Sequence, residues 1–144
     1  MKENRKHFYE AMFLLRQSAA ADLGSAVEHI RETLERAEGE IVAMKKWDER
    51  RLAFEIKKQK RGTYILVYVS IPSSQMASLE RALNLSEVVL RWMLVRADHL
   101  SVDEMKAADA QQELADEIKL RDERARERED SESSSATQAA GAEA

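Results

Sequence analysis

The sequence predicts an α+β domain in the order strand, helix, strand, strand, helix, strand, followed by a charged extension. Three observations support this prediction. Two amphipathic stretches with helical spacing each lie between strand-like stretches, and the two central strands have the pattern of a long hairpin. The charge balance also changes sign near residue 98 of the 144.

The first strand and the first helix are distinguished by their apolar patterns. Residues 8–15 form a short apolar run rich in aromatics, long enough for a strand and too short for an isolated helix. Apolar residues then recur at spacings of three and four, as in an amphipathic helix: Leu23, Val27, Ile30, Leu34 and Ala37. We predict that Ser18 or Asp22 caps this helix, and that Gly39 ends it as the residue just past the C-cap.

The middle of the chain predicts a long β-hairpin. Its outgoing arm covers residues 40–46 and 50–58, with a bend or bulge at Asp48-Glu49. Residues 59–62 are predicted to form the turn, because Gly62 can adopt a positive φ. The return strand covers residues 63–71, where apolar residues alternate between two faces.

A second helix and a last strand complete the pattern. Pro72 ends the return strand, and Met76, Leu79 and Leu83 give the second helix its apolar stripe. Residues 88–96 are apolar and β-branched, as in a strand. The order is that of the ferredoxin-like split βαβ fold, a four-stranded antiparallel sheet with two helices on one face and the other face open.

Composition divides the chain into three predicted segments. Residues 1–98 form the folded domain, residues 99–130 a charged helical extension, and residues 131–144 a Ser/Ala/Glu-rich tail predicted to be disordered. The first segment holds 17 Lys/Arg and 14 Asp/Glu, and the remainder holds 6 and 13. The net charge of −4 therefore hides a basic body, and an acidic pI does not exclude nucleic-acid binding.

Enzyme chemistry finds little support in the sequence. The three histidines, His7, His29 and His99, lie in separate elements, there is no cysteine, and no glycine-rich phosphate loop occurs. We therefore expect no catalytic residue, metal site, cofactor or small-molecule substrate. No apolar run approaches the roughly 20 residues of a membrane span, and no secretory signal is apparent. A cytoplasmic protein without a membrane partner is expected.

The basic hairpin is the strongest functional signal. Between Lys45 and Arg61, eight Lys/Arg face three acids, a local charge of +5. Phosphate contacts supply much of the affinity of nucleic-acid-binding proteins, so this arm predicts a polyanion ligand. Its basic residues are candidates for RNA binding: Lys45, Lys46, Arg50, Arg51, Lys57, Lys58 and Arg61. The alternative is that these charges only guard an exposed hairpin against aggregation.

Three aromatic residues are candidates for a partner interface. Tyr64 and Tyr68 are in phase on one face of the return strand, and we expect Trp92 on the last strand to join them. Core packing is the default role of an aromatic residue in a sheet, and an exposed stacking platform for bases or for a partner chain is the alternative.

Motifs spread over the body of the chain resemble one family. The resemblance runs from about Tyr9 to Arg96, and its parts are Tyr9-Glu10, Ala37-Glu38-Gly39-Glu40-Ile41, Trp47-Asp48-Glu49-Arg50-Arg51-Leu52-Ala53-Phe54-Glu55-Ile56, Lys57-Lys58, Gly62-Thr63-Tyr64, Leu79-Glu80-Arg81-Ala82-Leu83-Asn84-Leu85 and Val89-Leu90-Arg91. In this order and spacing they resemble the bacterial small-subunit ribosomal protein number six family. The sequence departs from the family at Asp48 and Glu55, where the family usually has glycine and proline.

The resemblance implies a ferredoxin-like fold and a structural role. It implies binding of central-domain small-subunit ribosomal RNA together with small-subunit ribosomal protein eighteen, in a ribosome-associated cytoplasmic protein. By position, Arg50 and Arg51 match the family's paired arginines, and Lys57-Lys58 and Arg91 match basic positions near the RNA.

Two other functions stay open at this point. A ferredoxin-like interaction or regulatory module could associate with itself through the open sheet face, using the acidic tail as a tether. A ligand-binding sensor domain would need a polar pocket, which the sequence alone does not identify.

Overall fold

The computed structural model describes residues 5–56 and 58–143, apart from the side chains of Glu55, Gln59 and residues 133–143. Its elements follow one another in the predicted order, with three additional helical segments. They are β1 (Lys6–Leu15), α1 (Gln17–Ala20), α2 (Leu23–Arg36), β2 (Glu40–Ile56), β3 (Gln59–Pro72), a 3-10 turn (Ser73–Gln75), α3 (Met76–Leu85), β4 (Val89–Arg96), α4 (Val102–Ala107) and α5 (Gln111–Glu143).

The four strands form one antiparallel sheet in the spatial order β2-β3-β1-β4. The central pair is regular: Lys6 lies opposite Pro72 and Leu15 opposite Thr63 without a shift in register. β4 pairs with the other edge of β1, where Phe13 lies opposite Trp92. This topology confirms the predicted ferredoxin-like α+β fold.

The main core lies between one face of the sheet and the helices α2 and α3. Every second residue of the two central strands points into it, and these side chains are fully buried: Ala11, Phe13, Leu15, Ile65, Val67, Val69 and Ile71. The helices contribute Leu23, Ile30, Leu34, Leu79 and Leu83, which are also buried. The apolar side chains on one face of the strands thus pack against the apolar stripes of the two helices in a single layer.

Helix α2 begins as predicted and ends differently. The Asp22 side chain caps it by accepting the Ser25 N–H. At the other end Glu38, not Gly39, takes the left-handed conformation, with φ of 57°. Gly39 is required for a different reason: an added Cβ would lie 2.8 Å from the Leu34 carbonyl oxygen. The glycine therefore permits a close backbone approach rather than a positive φ.

The hairpin turn also differs from the prediction. β2 ends at Ile56 and β3 begins at Gln59, and these two residues pair with each other. Lys58 between them has a φ of 68°, as tight hairpin turns demand. No glycine in the described residues has a positive φ, so the predicted turn at residues 59–62 is wrong. Gly62 instead lies inside β3, where an added Cβ would clash with the Leu14 Cδ1.

Strand β2 is a long arm with irregular register against β3. Shifts occur between Ile41 and Ala43, between Lys46 and Asp48, and between Arg51 and Ile56. The second shift leaves Trp47 as the extra residue, next to the bend predicted at Asp48-Glu49. Bulges of this kind redirect side chains and twist a strand, and this one sets the geometry of the site described below.

The segment after β4 covers part of the outer edge of β2 and forms hydrogen bonds with it. In this segment Ser101 caps α4 by accepting the Glu104 N–H, and Met105 is fully buried. Further along, the Asp109 Oδ1 accepts the Met44 N–H at 2.9 Å, and the Ala110 N–H donates to the Met44 carbonyl at 2.9 Å. Both outward backbone groups of Met44 are therefore satisfied by this segment rather than by a fifth strand.

Two compact units result, one ending at Gln111 and the other beginning at Gln112. The second unit consists of the charged helix α5, which continues to Glu143 across the stretch for which composition predicts disorder. Alanine has the highest helix propensity, and it is frequent in this stretch. The assignment of residues 1–98 as the functional domain, with an extension from residue 99, stays a prediction. None of the helices in the described part of the chain is long and apolar enough to cross a membrane.

Candidate RNA and partner surface

The sheet face away from α2 and α3 carries the candidate site. Residues that alternate with the core positions point to this face, and cross-strand partners share it: Leu14 with Tyr64, Met12 with Leu66, Glu10 with Tyr68, and Leu14 with Arg91. β2 adds Lys45 opposite Leu66 and Arg50 opposite Gly62. We call this surface the open face, as distinct from the helix face.

A four-residue cluster occupies the base of the hairpin on the open face. The Arg50 guanidinium donates from Nε (2.8 Å) and from Nη2 (2.6 Å) to a single oxygen, the Asp48 Oδ2. The same guanidinium lies over the Trp47 ring, 5.0 Å from its centroid. Trp47 in turn meets Tyr64 edge-to-face, with ring centroids 5.6 Å apart. We call Trp47, Asp48, Arg50 and Tyr64 the arginine cluster.

Asp48 is the acidic member of the arginine cluster. Its Oδ1 accepts the Glu49 N–H at 2.8 Å, while its Oδ2 accepts both bonds from Arg50. The hydrogen bond from Arg50 holds the pKa of the Asp48 carboxyl below its usual value, with help from the Glu49 N–H and the Lys46 charge. Asp48 therefore stays ionised at neutral pH and opposes the charge of Arg50.

Arg91 lies at an apolar groove beside the arginine cluster. The groove has a volume of about 350 Å³ and runs between the outer part of β2 and the open face. Mostly apolar residues line it, together with Arg91: Met12, Leu14, Leu52, Ala53, Phe54, Ile56, Tyr64, Trp92 and Met93. Phe54 and Met93 are 65% and 55% exposed. The groove is thus apolar inside and carries a guanidinium on one wall.

The structure divides the predicted RNA-binding residues between the two faces. Lys45, Arg50 and Arg91 belong to the open face, whereas Lys46 and Arg51 lie opposite Ile65 and Arg61, on the other side of the sheet. Lys58 is exposed in the hairpin turn. Lys57 lies outside the described residues. The eight residues therefore do not form one continuous patch, and Arg50 and Arg51 point in opposite directions, as adjacent strand residues must.

A second ion pair follows the same pattern as the first. Lys46 donates from Nζ to the Glu49 Oε1 at 3.4 Å. Asp48 and Glu49 thus each face a cation that is two or three residues away in the same strand. Two of the eight cations read from the sequence are consequently paired with acids of the same strand.

Of the predicted partner-interface residues, two lie on the open face and one does not. Tyr64 and Tyr68 share that face, and the Tyr68 hydroxyl donates to the Glu10 Oε2 at 3.3 Å. Burial, reinforced by the Glu10 charge, raises the pKa of Tyr68. Trp92 lies opposite Phe13 on the helix face, and its Nε1 donates to the Asn84 Oδ1 of α3 at 3.0 Å. The expectation that Trp92 shares a sheet face with the tyrosines is therefore wrong, although Trp92 borders the same groove as Tyr64.

Two residues of the open face were missed by sequence reasoning. Trp47 is 46% exposed and belongs to the arginine cluster, and Phe54 lines the groove. Trp47 precedes the Asp-Glu pair that predicted a bend, so its projection from a bulge could have been inferred. Phe54 is in phase with Arg50 along β2, so the regular alternation of the strand could have placed it on the open face.

The helix side of the sheet carries a separate cleft of about 300 Å³ between α2 and α3, with His29 and Thr33 on its wall. Three of its polar side chains, those of His29, Thr33 and Ser86, have internal partners. The His29 Nε2 is 2.8 Å from the Ser86 Oγ, and the Thr33 hydroxyl donates to the His29 carbonyl. The Ser86 oxygen also accepts the N–H groups of residues 88 and 89. Among the described residues, no group of three or more His, Asp or Glu could hold a metal ion.

Known proteins resemble this chain over its body. The family model described as "Ribosomal protein S6" matches residues 8–96. "Small ribosomal subunit protein bS6" of Campylobacter jejuni (strain RM1221) is 34% identical over 95 residues, which cover 65% of this chain and 75% of that protein. The protein of the same name from Campylobacter lari is 35% identical over 92 residues, covering 63% of this chain and 74% of its own length.

A solved structure agrees with the sequence matches. The crystal structure of 30S ribosomal protein S6 from Thermotoga maritima superimposes with a TM-score of 0.60 and 26% sequence identity, covering 72% of this chain and 98% of that one. The part matched by the family model contains α2, α3 and all four strands except the first two residues of β1, and the segment from Ala97 onwards lies beyond it. The chain belongs to the ribosomal protein S6 family.

Proposed function

We propose that this chain is a structural component of the bacterial small ribosomal subunit, a cytoplasmic protein rather than an enzyme. In this proposal it binds central-domain small-subunit ribosomal RNA together with small-subunit ribosomal protein eighteen. Membership in the ribosomal protein S6 family supports a structural role in the small ribosomal subunit. The proposed contacts with RNA and with the partner protein rest on the chemistry of the open face and the hairpin.

One observation carries the proposal: a guanidinium already oriented by an aromatic ring stands beside an apolar groove with a second arginine. Arg50 is oriented by Trp47 and Asp48, and Arg91 shares the groove with Tyr64. A planar guanidinium can bond two phosphate oxygens at once. Apolar grooves of this size suit an anchor side chain of a partner protein. The two features together favour a mixed surface that contacts RNA and protein.

Arg51 and Arg61 give the hairpin a second basic side. They lie opposite each other in β2 and β3, and both are exposed. Like charges directly opposite each other on two strands destabilise a hairpin. A polyanion that neutralises both removes this repulsion, so the pair favours a phosphate backbone passing along this side. With Arg50 on the open face, the arm would then contact RNA from two directions.

The partner protein is assigned to the open face. Met93 and Val95 of β4 are about half exposed there, and Phe54 is more exposed still. Exposed apolar side chains grouped on one face are typical of protein interfaces. In this proposal Tyr64 and Tyr68 contribute to that interface, whereas Trp92 supports it from the other side of the sheet.

The paired variant Arg50→Ala with Arg51→Ala tests the proposal. We expect weaker binding to a central-domain RNA fragment in the presence of small-subunit ribosomal protein eighteen. The slope of log affinity against log salt should become shallower, by up to about 0.7–0.9 for each phosphate contact that is lost. Arg81→Ala, on the exposed side of α3, is the matched control and should leave both quantities unchanged. Equal affinity and equal slope for the paired variant and the native chain would reject the assignment of these arginines.

A second function is favoured by the same exposed apolar residues. Met93, Val95 and Phe54 could pack against a second copy of this chain, making it a self-associating module. Light scattering of the purified protein discriminates the two functions. A stable dimer that Met93→Asp converts to monomer, with no affinity for the RNA and its partner protein, would favour the module. A monomer that binds both favours the ribosomal role.

A further inference from the structure

The arginine cluster contains an acid on one donor edge of the Arg50 guanidinium. Both hydrogen bonds from Arg50 end on one oxygen, the Asp48 Oδ2. This oxygen occupies the side of the guanidinium formed by Nε and Nη2, one of the edges from which arginine engages a phosphate. The contact between the Arg50 guanidinium and the Trp47 ring orients the guanidinium plane without using the Nε and Nη2 donors.

We propose that Asp48 is a positioning residue that acts as an intramolecular competitor of phosphate at Arg50. This inference rests on the proposed RNA-binding function. Asp48 occupies the Nε and Nη2 donors before RNA arrives, and it must give up its Oδ2 contacts when a phosphate takes the same donors. Binding at Arg50 is therefore an exchange of one anion for another, and its net gain in affinity is small.

The geometry separates the two roles of the Asp48 carboxylate. Oδ1 serves the local backbone by accepting the Glu49 N–H at 2.8 Å, and Oδ2 serves Arg50. The Asp48→Asn substitution can keep the first contact with its amide oxygen while it removes the negative charge. The bulge should therefore survive this change, and the effect on RNA binding should come from Arg50.

The exchange makes a distinctive prediction for the dependence on salt. A guanidinium paired with a carboxylate adds little net positive charge to the surface, so its contact with phosphate releases few counterions. In Asp48→Asn the same contact involves a full positive charge. We expect RNA affinity to increase about two- to fivefold, the range of an exposed ion pair. The salt slope should become steeper by up to about 0.9.

The experiment measures RNA binding by fluorescence anisotropy at several salt concentrations, with the central-domain RNA fragment and small-subunit ribosomal protein eighteen. Four variants are compared with the native chain: Asp48→Asn, Arg50→Ala, the double variant, and Glu80→Gln. Glu80 is exposed on α3, so Glu80→Gln makes the same charge change on the helix side of the sheet. The inference predicts that Asp48→Asn strengthens binding only while Arg50 is present, and that Glu80→Gln has no comparable effect.

Three outcomes would overturn the inference, and they are distinguishable. If Arg50→Ala weakens binding while Asp48→Asn leaves affinity and slope unchanged, Asp48 is not a competitor and the proposed RNA contact stands. If Asp48→Asn increases RNA affinity equally in the Arg50→Ala background, Asp48 is again not a competitor at Arg50, because the increase is then a general effect of charge. If neither single variant changes binding, Arg50 is not an RNA contact, and the inference is rejected together with that part of the proposed function.

Discussion

Removal of the Asp109 side chain tests whether the segment beyond the family body is part of the fold. The Asp109 carboxylate accepts the N–H of Met44, a residue that is almost completely buried at the outer edge of β2. Asp109→Ala leaves that donor without its acceptor. An unsatisfied buried donor costs about 1–3 kcal/mol, so we expect the free energy of unfolding to fall by that amount.

Urea denaturation followed by tryptophan fluorescence is the suitable assay, because Trp47 and Trp92 both lie in the sheet. With an m-value on the order of 1.5 kcal/mol/M, the unfolding midpoint should decrease by about 0.7–2 M. Asp109→Asn retains an amide oxygen and should recover most of the loss. Asp98→Ala is the control, because it removes only an exposed ion pair with Arg96 and should cost less than about 1 kcal/mol. Equal midpoints for Asp109→Ala and the control would refute the reasoning.

Three further predictions concern the described contacts. Met105→Ala should lower the free energy of unfolding by about 2–5 kcal/mol in the same urea assay, because a fully buried side chain leaves a cavity. Gly39→Ala should destabilise the fold by about 1–3 kcal/mol, since its Cβ meets the Leu34 carbonyl; an unchanged midpoint would contradict the close approach. Glu10→Gln should lower the raised pKa of Tyr68, observed as earlier ionisation in an alkaline absorbance titration. The stability linked to the raised Tyr68 pKa is complete below the pKa of the unfolded chain, and it is lost as pH rises through the folded value.

Periodic elements were predictable from the sequence because their signals are local. The spacing of Leu23, Val27, Ile30 and Leu34 defines α2 without knowledge of its neighbours, and the cap at Asp22 follows from side-chain chemistry. The regular alternation in β3 likewise identified its two faces. The order of these elements was sufficient for the fold class, since few topologies accommodate it.

The glycines show where local reasoning fails. A glycine near an expected turn suggests a positive φ, yet Glu38 and Lys58 adopt that conformation here. Gly39 is instead required by the Leu34 carbonyl in the last turn of α2, and a Cβ at Gly62 would meet the Leu14 side chain, which is near it only in the folded chain. The chemistry of glycine fits both roles, and only tertiary contacts distinguish them.

The functional surface depends on register, which the sequence does not specify well here. Strand β4 is apolar on both sides, so its alternation does not reveal which face Trp92 occupies; its pairing with Phe13 decides this. The arginine cluster requires a bulge at Trp47. The hydrogen bond that satisfies the outer edge of β2 joins Asp109 to Met44, residues that are 65 apart in the sequence. Composition predicted basic residues in the hairpin, but not that Asp48 and Glu49 would each engage one of them.

Sedimentation of cell lysate tests the central claim most directly. The native chain, carrying a detection tag, is followed through a sucrose gradient under conditions that separate the ribosomal subunits. The ribosomal role predicts stoichiometric co-migration with the small subunit, and reduced occupancy for Arg50→Ala with Arg51→Ala when it competes with the native chain. Recovery of the native chain only in light fractions, as a free homo-oligomer, would contradict it.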